Sequence, residues 1–229
     1  MDRPDPKKCC IMVPSRDGID QACERGLYEL ARRGYHLYIM RGVTSIDQIR
    51  SQMATDALEQ GFERLFWIDD DIVFNPDDVD RLCASELPLI GGVYPKKGEP
   101  QLTTRWKPST TSIVLGEGGG VLEVTYASTG FLLTHASVYA RVLSEHGLLP
   151  MVGQFGRRMT PYFQPMIVKI DGADYYLAED WSFCHRAAAA GIPIMVDTRP
   201  RLMHVGRYAY SWEDLVPRER MTSVTVQID

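Results

Sequence analysis

The sequence predicts an α/β chain built on a mostly parallel central sheet with helices on both faces. Three observations carry that prediction. Short apolar runs alternate with segments of helical periodicity through residues 8–95. Glycines at 34, 42 and 61 punctuate the boundaries. The composition, 45% hydrophobic and 24% charged over 229 residues, is an ordinary globular balance that fits one large domain or two small ones.

Residues 9–13 (Cys-Cys-Ile-Met-Val) read as a buried strand that ends at the turn-rich Pro14-Ser15-Arg16-Asp17-Gly18. Ile19, Cys23, Leu27, Leu30 and Ala31 recur at helical spacing, and Gly34 stops that helix. Residues 35–40 read as a second strand. Ser45 and Gln48 form a capping-box pattern ahead of a helix whose inner face is Ile46, Ile49, Met53 and Ala57. Residues 65–68 (Leu-Phe-Trp-Ile) are brief, aromatic and β-branched, which marks a third strand, and they run straight into Asp69-Asp70-Asp71. Asn75 as N-cap, Pro76 at the first helical position and acids in the first turn open the next helix, which carries Val79, Leu82 and Cys83. Residues 87–94 read as a fourth strand broken by Gly91-Gly92. This β-α-β-α-β-α-β order predicts parallel strands joined by right-handed crossovers.

Beyond residue 95 the pattern shortens. Residues 95–100 are polar and turn-forming. Residues 112–115 and 121–125 read as short strands around Gly116-Glu117-Gly118-Gly119-Gly120, a hairpin-like connection. Residues 130–134 read as a strand and 137–145 as a helix. Residues 147–176, rich in Gly, Pro, Tyr and Met, show no period and read as a lid or substrate loop. Residues 179–191 form a helix opened by Glu179-Asp180 and stopped by Gly191. A strand at 193–196 follows, then Arg201-Leu202-Met203-His204-Val205-Gly206.

A net charge of −5 gives no sign of nucleic-acid or anionic-membrane binding. The five cysteines (Cys9, Cys10, Cys23, Cys83, Cys184) are odd in number and form no CxxC, which points to reduced thiols in a cytoplasmic protein. The N-terminus has no apolar h-region and no run reaches membrane-spanning length, so no stable membrane insertion is expected. The first strand–loop–helix lacks both G-x-G-x-x-G and the P-loop pattern.

The acidic triplet sits at the carboxyl end of a buried strand, the edge where open α/β sheets bind ligands. Three adjacent carboxylates are tolerable when solvated or neutralised by a cation. If the chain stays extended, Asp69 and Asp71 project to one side and suit Mg²⁺ or Mn²⁺ with positions left for phosphate oxygens. A solvated acidic turn explains the residues equally well. Asp180 and Glu179 read either as helix-dipole partners or as working carboxylates, and the helix start favours ionised Asp180. His204 reads either as a hydrogen-bonded structural histidine or as a ligand. Arg50 reads either as an ion-pair residue or as a ligand contact. Lys96-Lys97 reads as a solvated turn first and as a phosphate contact second.

Together, the βαβαβ half, the triplet after its third strand, the Glu179-Asp180 pair and the His204-Val205-Gly206 segment resemble metal-dependent GT-A fold glycosyltransferases of the DXD type. The resemblance covers roughly residues 8–206. It implies a Rossmann-like GT-A fold with a smaller acceptor-side β region, and one domain over 1–229. Within it would lie a nucleotide-binding half (8–95), an acceptor and catalytic half (96–206) and a C-terminal tail (207–229). It implies transfer of a sugar from a nucleotide-diphosphate sugar of UDP or GDP type to an acceptor, with Mn²⁺ or Mg²⁺. Pro14, Ser15 and Arg16 would line the base and ribose, and Arg50 would face the donor, with Ser51 where the family usually has Asn. Asp69 and Asp70 would lie near the ribose and metal. Asp71 would bind the metal with Asp69, and His204 would complete its shell. Asp180 would be the catalytic base with Glu179 beside it, and Gly130 would lie beneath the sugar and acceptor. Arg207-Tyr208 is expected to close over the diphosphate. The QxxRW motif of processive polysaccharide synthases is absent, which argues against polymer synthesis at a membrane. Two other classes fit the triplet: a metal-dependent phosphohydrolase or nucleotidyltransferase, and a non-catalytic nucleotide-sugar-binding module.

Overall fold

The computed structural model describes residues 5–42, 44–206, 208–215 and 223–228. In chain order its main elements are β1 (Cys9–Pro14), α1 (Gln21–Arg32), β2 (His36–Met40), α2 (Ile46–Glu59), β3 (Arg64–Ile68), α3 (Pro76–Cys83), β4 (Leu89–Gly92), β5 (Val121–Glu123), β6 (Phe131–His135), α4 (Ala136–His146), α5 (Glu179–Ala189) and β7 (Met195–Asp197). The strands form one sheet in the order β2-β1-β3-β6-β4-β7-β5. β2, β1, β3, β4 and β7 run in one direction, while β6 and β5 oppose them.

The sheet is covered on both faces because its central strands carry apolar side chains on both. Successive side chains alternate between two cores. Met12, Trp67 and Leu132 pack with Ile49, Met53, Tyr139 and Phe183, from α2, α4 and α5. Ile11, Val13, Phe66, Ile68 and Phe131 pack with Leu27, Leu30, Val79 and Leu82, from α1 and α3. The buried indole of Trp67 donates to the Tyr139 hydroxyl at 3.0 Å, so the larger core leaves that polar group paired.

Several expectations are corrected. The fourth predicted strand does not lie beside the third, because β6 enters between β3 and β4, antiparallel to both. Phe131, Leu132 and Leu133 are fully buried, which suits a central position. Gly91 and Gly92 do not break β4. A Cβ at Gly92 would lie 2.6 Å from Leu202, so these glycines permit close packing inside the strand. Residues 112–116 and 121–123 form no hairpin with each other. Ser112–Gly116 pairs with Ser223–Gln227 in the tail, and β5 pairs with β7. The segment 147–176 holds two antiparallel hairpins, Met151–Val152 with Arg158–Met159 and Met166–Ile170 with Ala173–Leu177. Asn75 caps α3 through the Asp77 N–H, but Ser45 makes no cap bond and its hydroxyl donates to Asp47 instead.

All five cysteines are free and buried. Among the described residues no helix is long and apolar enough to cross a membrane.

Candidate functional site

At the end of β3 the chain turns. The Ile72 N–H donates to the Asp69 carbonyl at 3.1 Å, so the triplet is not extended, and the alternation assumed for Asp69 and Asp71 does not apply. The chain then forms Ile72–Val73, which pairs with Met203–Val205 and places His204 opposite Ile72. The Val205 N–H donates to the Asp71 carbonyl at 2.8 Å. This small sheet brings His204 to the triplet despite their separation in sequence.

A cleft of about 370 Å³ opens at this edge. Pro14, Ser15 and Arg16 line it from the end of β1, Arg50 from α2, the triplet from β3, Glu179 from the head of α5, and His204. Thr44, which nothing in its local sequence marks as ligand-facing, also lines it, as does Ile46, which is exposed at the cleft and not on the inner face of α2 as its spacing predicts. Arg207 lies outside the described residues. Tyr208 packs its ring 4.7 Å from Tyr210 and donates its hydroxyl to Asp214.

Arg50 forms the floor. It is 3% exposed, and its two terminal nitrogens donate to Asp69 Oδ1 and Glu179 Oε1, each at 2.6 Å. Burial works against its charge, but Asp69 and Glu179 outweigh that and raise its pKa. The guanidinium therefore joins two carboxylates that lie far apart in sequence. Behind Asp69, the Gly130 carbonyl accepts from the Asp69 N–H at 3.0 Å, and the Gly130 N–H donates to the Tyr94 hydroxyl at 3.0 Å. Gly130 is buried, and a Cβ there would stand 2.8 Å from Asp69 Oδ2. It supports the Asp69 carboxylate from behind.

Asp71 has different partners. Lys97 donates to its Oδ2, so this lysine is not the solvated turn residue expected. Its Oδ1 is buried, has no hydrogen-bond partner, and lies 3.5 Å from His204 Nε2. His204 Nδ1 lies 3.0 Å from the Pro95 carbonyl, which can only accept. The proton therefore sits on Nδ1, and in the neutral ring Nε2 keeps its lone pair. Two electron-pair donors then face each other across a gap suited to a cation. Burial pushes the Asp71 carboxyl up; His204, when its ring carries a proton on both nitrogens, and Lys97 outweigh that and hold its pKa below the ordinary value. Among the described residues no three His, Cys, Asp or Glu side chains form a metal cluster. A cation here would thus take two protein donors and complete its shell with water and phosphate oxygens, as Mg²⁺ commonly does.

Asp70 and Asp180 are shifted the other way. Burial, then the charges of Asp71 and Asp69, raise Asp70, while Ser15 and the Arg16 backbone N–H pull it partly back. Asp180, half-buried at the start of α5, is pushed up to about 6 by burial and by Glu179, with Arg50 opposing. The expected effect of the helix start is outweighed. One Asp180 oxygen accepts from the Trp181 N–H at 2.7 Å, and the Trp181 ring stacks on Tyr126 at 5.3 Å.

No protein-family model matches the sequence, and no curated protein matches it. Among solved structures, A197 from STIV aligns over 93% of this chain and 98% of its own, at 13% identity and a TM-score of 0.55, which is a likeness of fold. The inositol-1-phosphate CTP transferase from T. maritima aligns over 92% of this chain and 73% of its own, at 14% identity and a TM-score of 0.37. A glycosyltransferase involved in glycosylation of the major capsid of PBCV-1 aligns over 59% of this chain and 66% of its own, at 16% identity and a TM-score of 0.32. At these TM-scores the last two likenesses bear on neither the fold nor the chemistry.

Proposed function

We propose that the chain is a glycosyltransferase that moves a sugar from a nucleotide-diphosphate sugar to an acceptor hydroxyl, assisted by Mn²⁺ or Mg²⁺. The observation that carries this reading is the convergence of Pro14–Arg16, the acidic triplet and His204 on one cleft at the carboxyl ends of β1 and β3. That arrangement supports a reading in which a nucleoside lies beside a bound cation. The sequence resemblance to DXD-type enzymes supports the same reading.

In this proposal Pro14, Ser15 and Arg16 line the base and ribose, and the Asp70 carboxyl accepts from ribose hydroxyls. Asp71 and His204 would hold the metal ion, a Lewis acid that neutralises charge on the departing diphosphate. Arg50 fixes Asp69 and Glu179, so the floor keeps one geometry while ligands exchange. Asp180 takes the proton from the acceptor hydroxyl as that oxygen bonds to the sugar's anomeric carbon and the bond to the diphosphate breaks. A carboxyl at about 6 suits a general base near neutral pH.

Calorimetric titration of UDP and GDP with Mn²⁺ tests the donor site. The wild type should bind one of them in the micromolar range, and Asp71→Ala should weaken that binding at least about tenfold. Absence of binding to the wild type, or equal binding to the variant, overturns the reading. A panel of nucleotide sugars read by donor hydrolysis then identifies the sugar.

A further inference from the structure

The loop that follows β4 and Val93-Tyr94 reaches Asp71 twice. Its Pro95 carbonyl sets the tautomer of His204, whose Nε2 faces Asp71 Oδ1. Its Lys97 ammonium pairs with Asp71 Oδ2. The loop is closed by a bridge between Pro95 and Leu102 and by the Lys96 N–H on the Gln101 carbonyl at 2.8 Å, with Gly98 turning at a φ of +76°. The Lys97 stem lies against Gly206, where a Cβ would come within 3.3 Å of it. One loop therefore orients the imidazole beside a single carboxylate and supplies a tethered cation to it.

We propose that Lys97 competes with the divalent cation for Asp71 and couples cation binding to arrival of the diphosphate. The inference rests on the proposed donor site. A carboxylate shared with an ammonium attracts a second cation less strongly, since part of its charge is already neutralised. A diphosphate offers the ammonium a more highly charged partner. Its arrival frees Asp71 for the metal, and by linkage each ligand strengthens the other. Lys97 is suited to this exchange because its side chain is 38% exposed, whereas Arg50 is sealed into the floor. Lys97 is a positioning residue in this account.

The test measures free Mn²⁺ by electron paramagnetic resonance in titrations of the folded wild-type protein, Lys97→Met and Lys96→Met, with and without UDP or GDP. Lys96 is the control, because it carries the same charge one residue away and lies 3.7 Å from Glu99. Without nucleotide, Lys97→Met should bind Mn²⁺ about fivefold more tightly than wild type, the worth of one partly exposed ion pair. Lys96→Met should stay within about twofold of wild type. With nucleotide, the gain in Mn²⁺ affinity should be smaller in Lys97→Met than in wild type, because that variant has no ammonium to transfer. Equal Mn²⁺ affinity in wild type and Lys97→Met overturns the inference, as does an equal gain in Lys96→Met. A wild type that binds Mn²⁺ but neither nucleotide overturns the proposed function instead, and leaves the competition at Asp71 readable from Mn²⁺ alone.

Discussion

Asp69 and Asp71 leave the same strand two residues apart, yet their surroundings differ in kind. Asp69 is held by a guanidinium whose side chain is 4% exposed and which also holds Glu179. Asp71 is held on one oxygen by a lysine whose side chain is 38% exposed, and its other oxygen has no hydrogen bond. The first carboxylate is charge-balanced and fixed. The second is under-filled and open to exchange. The difference divides the cleft into a scaffold side and a ligand side, and each can be tested by breaking one without the other.

The largest effect should come from Arg50→Met. Removing the guanidinium strands two carboxylates on the cleft floor, and loss of one partner from a buried ion network costs about 3–5 kcal/mol. Urea unfolding should show that loss directly. Asp71→Asn should cost less than about 1 kcal/mol in the same assay, because its partner Lys97 is partly exposed and can return to water. Equal losses for the two variants would erase the distinction between the two sides.

Asp180 provides a second contrast, in which pH is the variable. Its carboxyl stands at about 6 in the fold, against 3.8 when unperturbed. Folding therefore favours the protonated form. That contribution is fully present below the unfolded value and is lost as pH rises through 6, above which the charge costs stability. Asp180→Asn should be more stable than wild type at pH 8 by about 1–2 kcal/mol, with the gap closing as pH falls from about 6 toward 4. In activity the direction reverses. The wild-type kcat/KM for transfer should fall as pH drops through about 6, and Asp180→Asn should lose on the order of 10²-fold or more. A variant that is more stable at pH 8 yet fully active would remove Asp180 from the chemistry.

Local sequence reveals the strands and the triplet because both are local features. β1 and β3 are apolar on both faces, and the carboxylates follow β3 without a gap. Pairing order is not local. β6 has the same apolar character as its neighbours, and only the packed sheet decides that it separates β3 from β4. The hairpins within 147–176 are hidden for another reason. Val152, Ile167 and Tyr176 are 67%, 68% and 71% exposed, so no burial pattern marks them as strands. In the site, Arg50 and His204 stand out by residue type, but their roles depend on partners far away in the chain, Glu179 for one and Pro95 for the other. Lys97 looks like a surface turn until the fold brings Asp71 to it. Asp180 reverses its expected titration because burial and Glu179 outweigh the helix start.

Glu179 links the two contrasts, since it accepts from Arg50 and also raises Asp180. Glu179→Gln should keep an acceptor oxygen for the guanidinium while removing the charge. The stability loss should be only about 1 kcal/mol, that of a weakened hydrogen bond. With that charge gone, Arg50 acts on Asp180 with less opposition, so the carboxyl should ionise more easily. The acid limb of the kcat/KM profile should therefore move down by about half a pH unit. This is the smallest shift predicted here, and its direction decides the question. A limb that stays in place would mean that burial alone sets Asp180. A limb that moves up would mean that the substitution weakens the pull of Arg50 on Asp180 by more than the repulsion it removes.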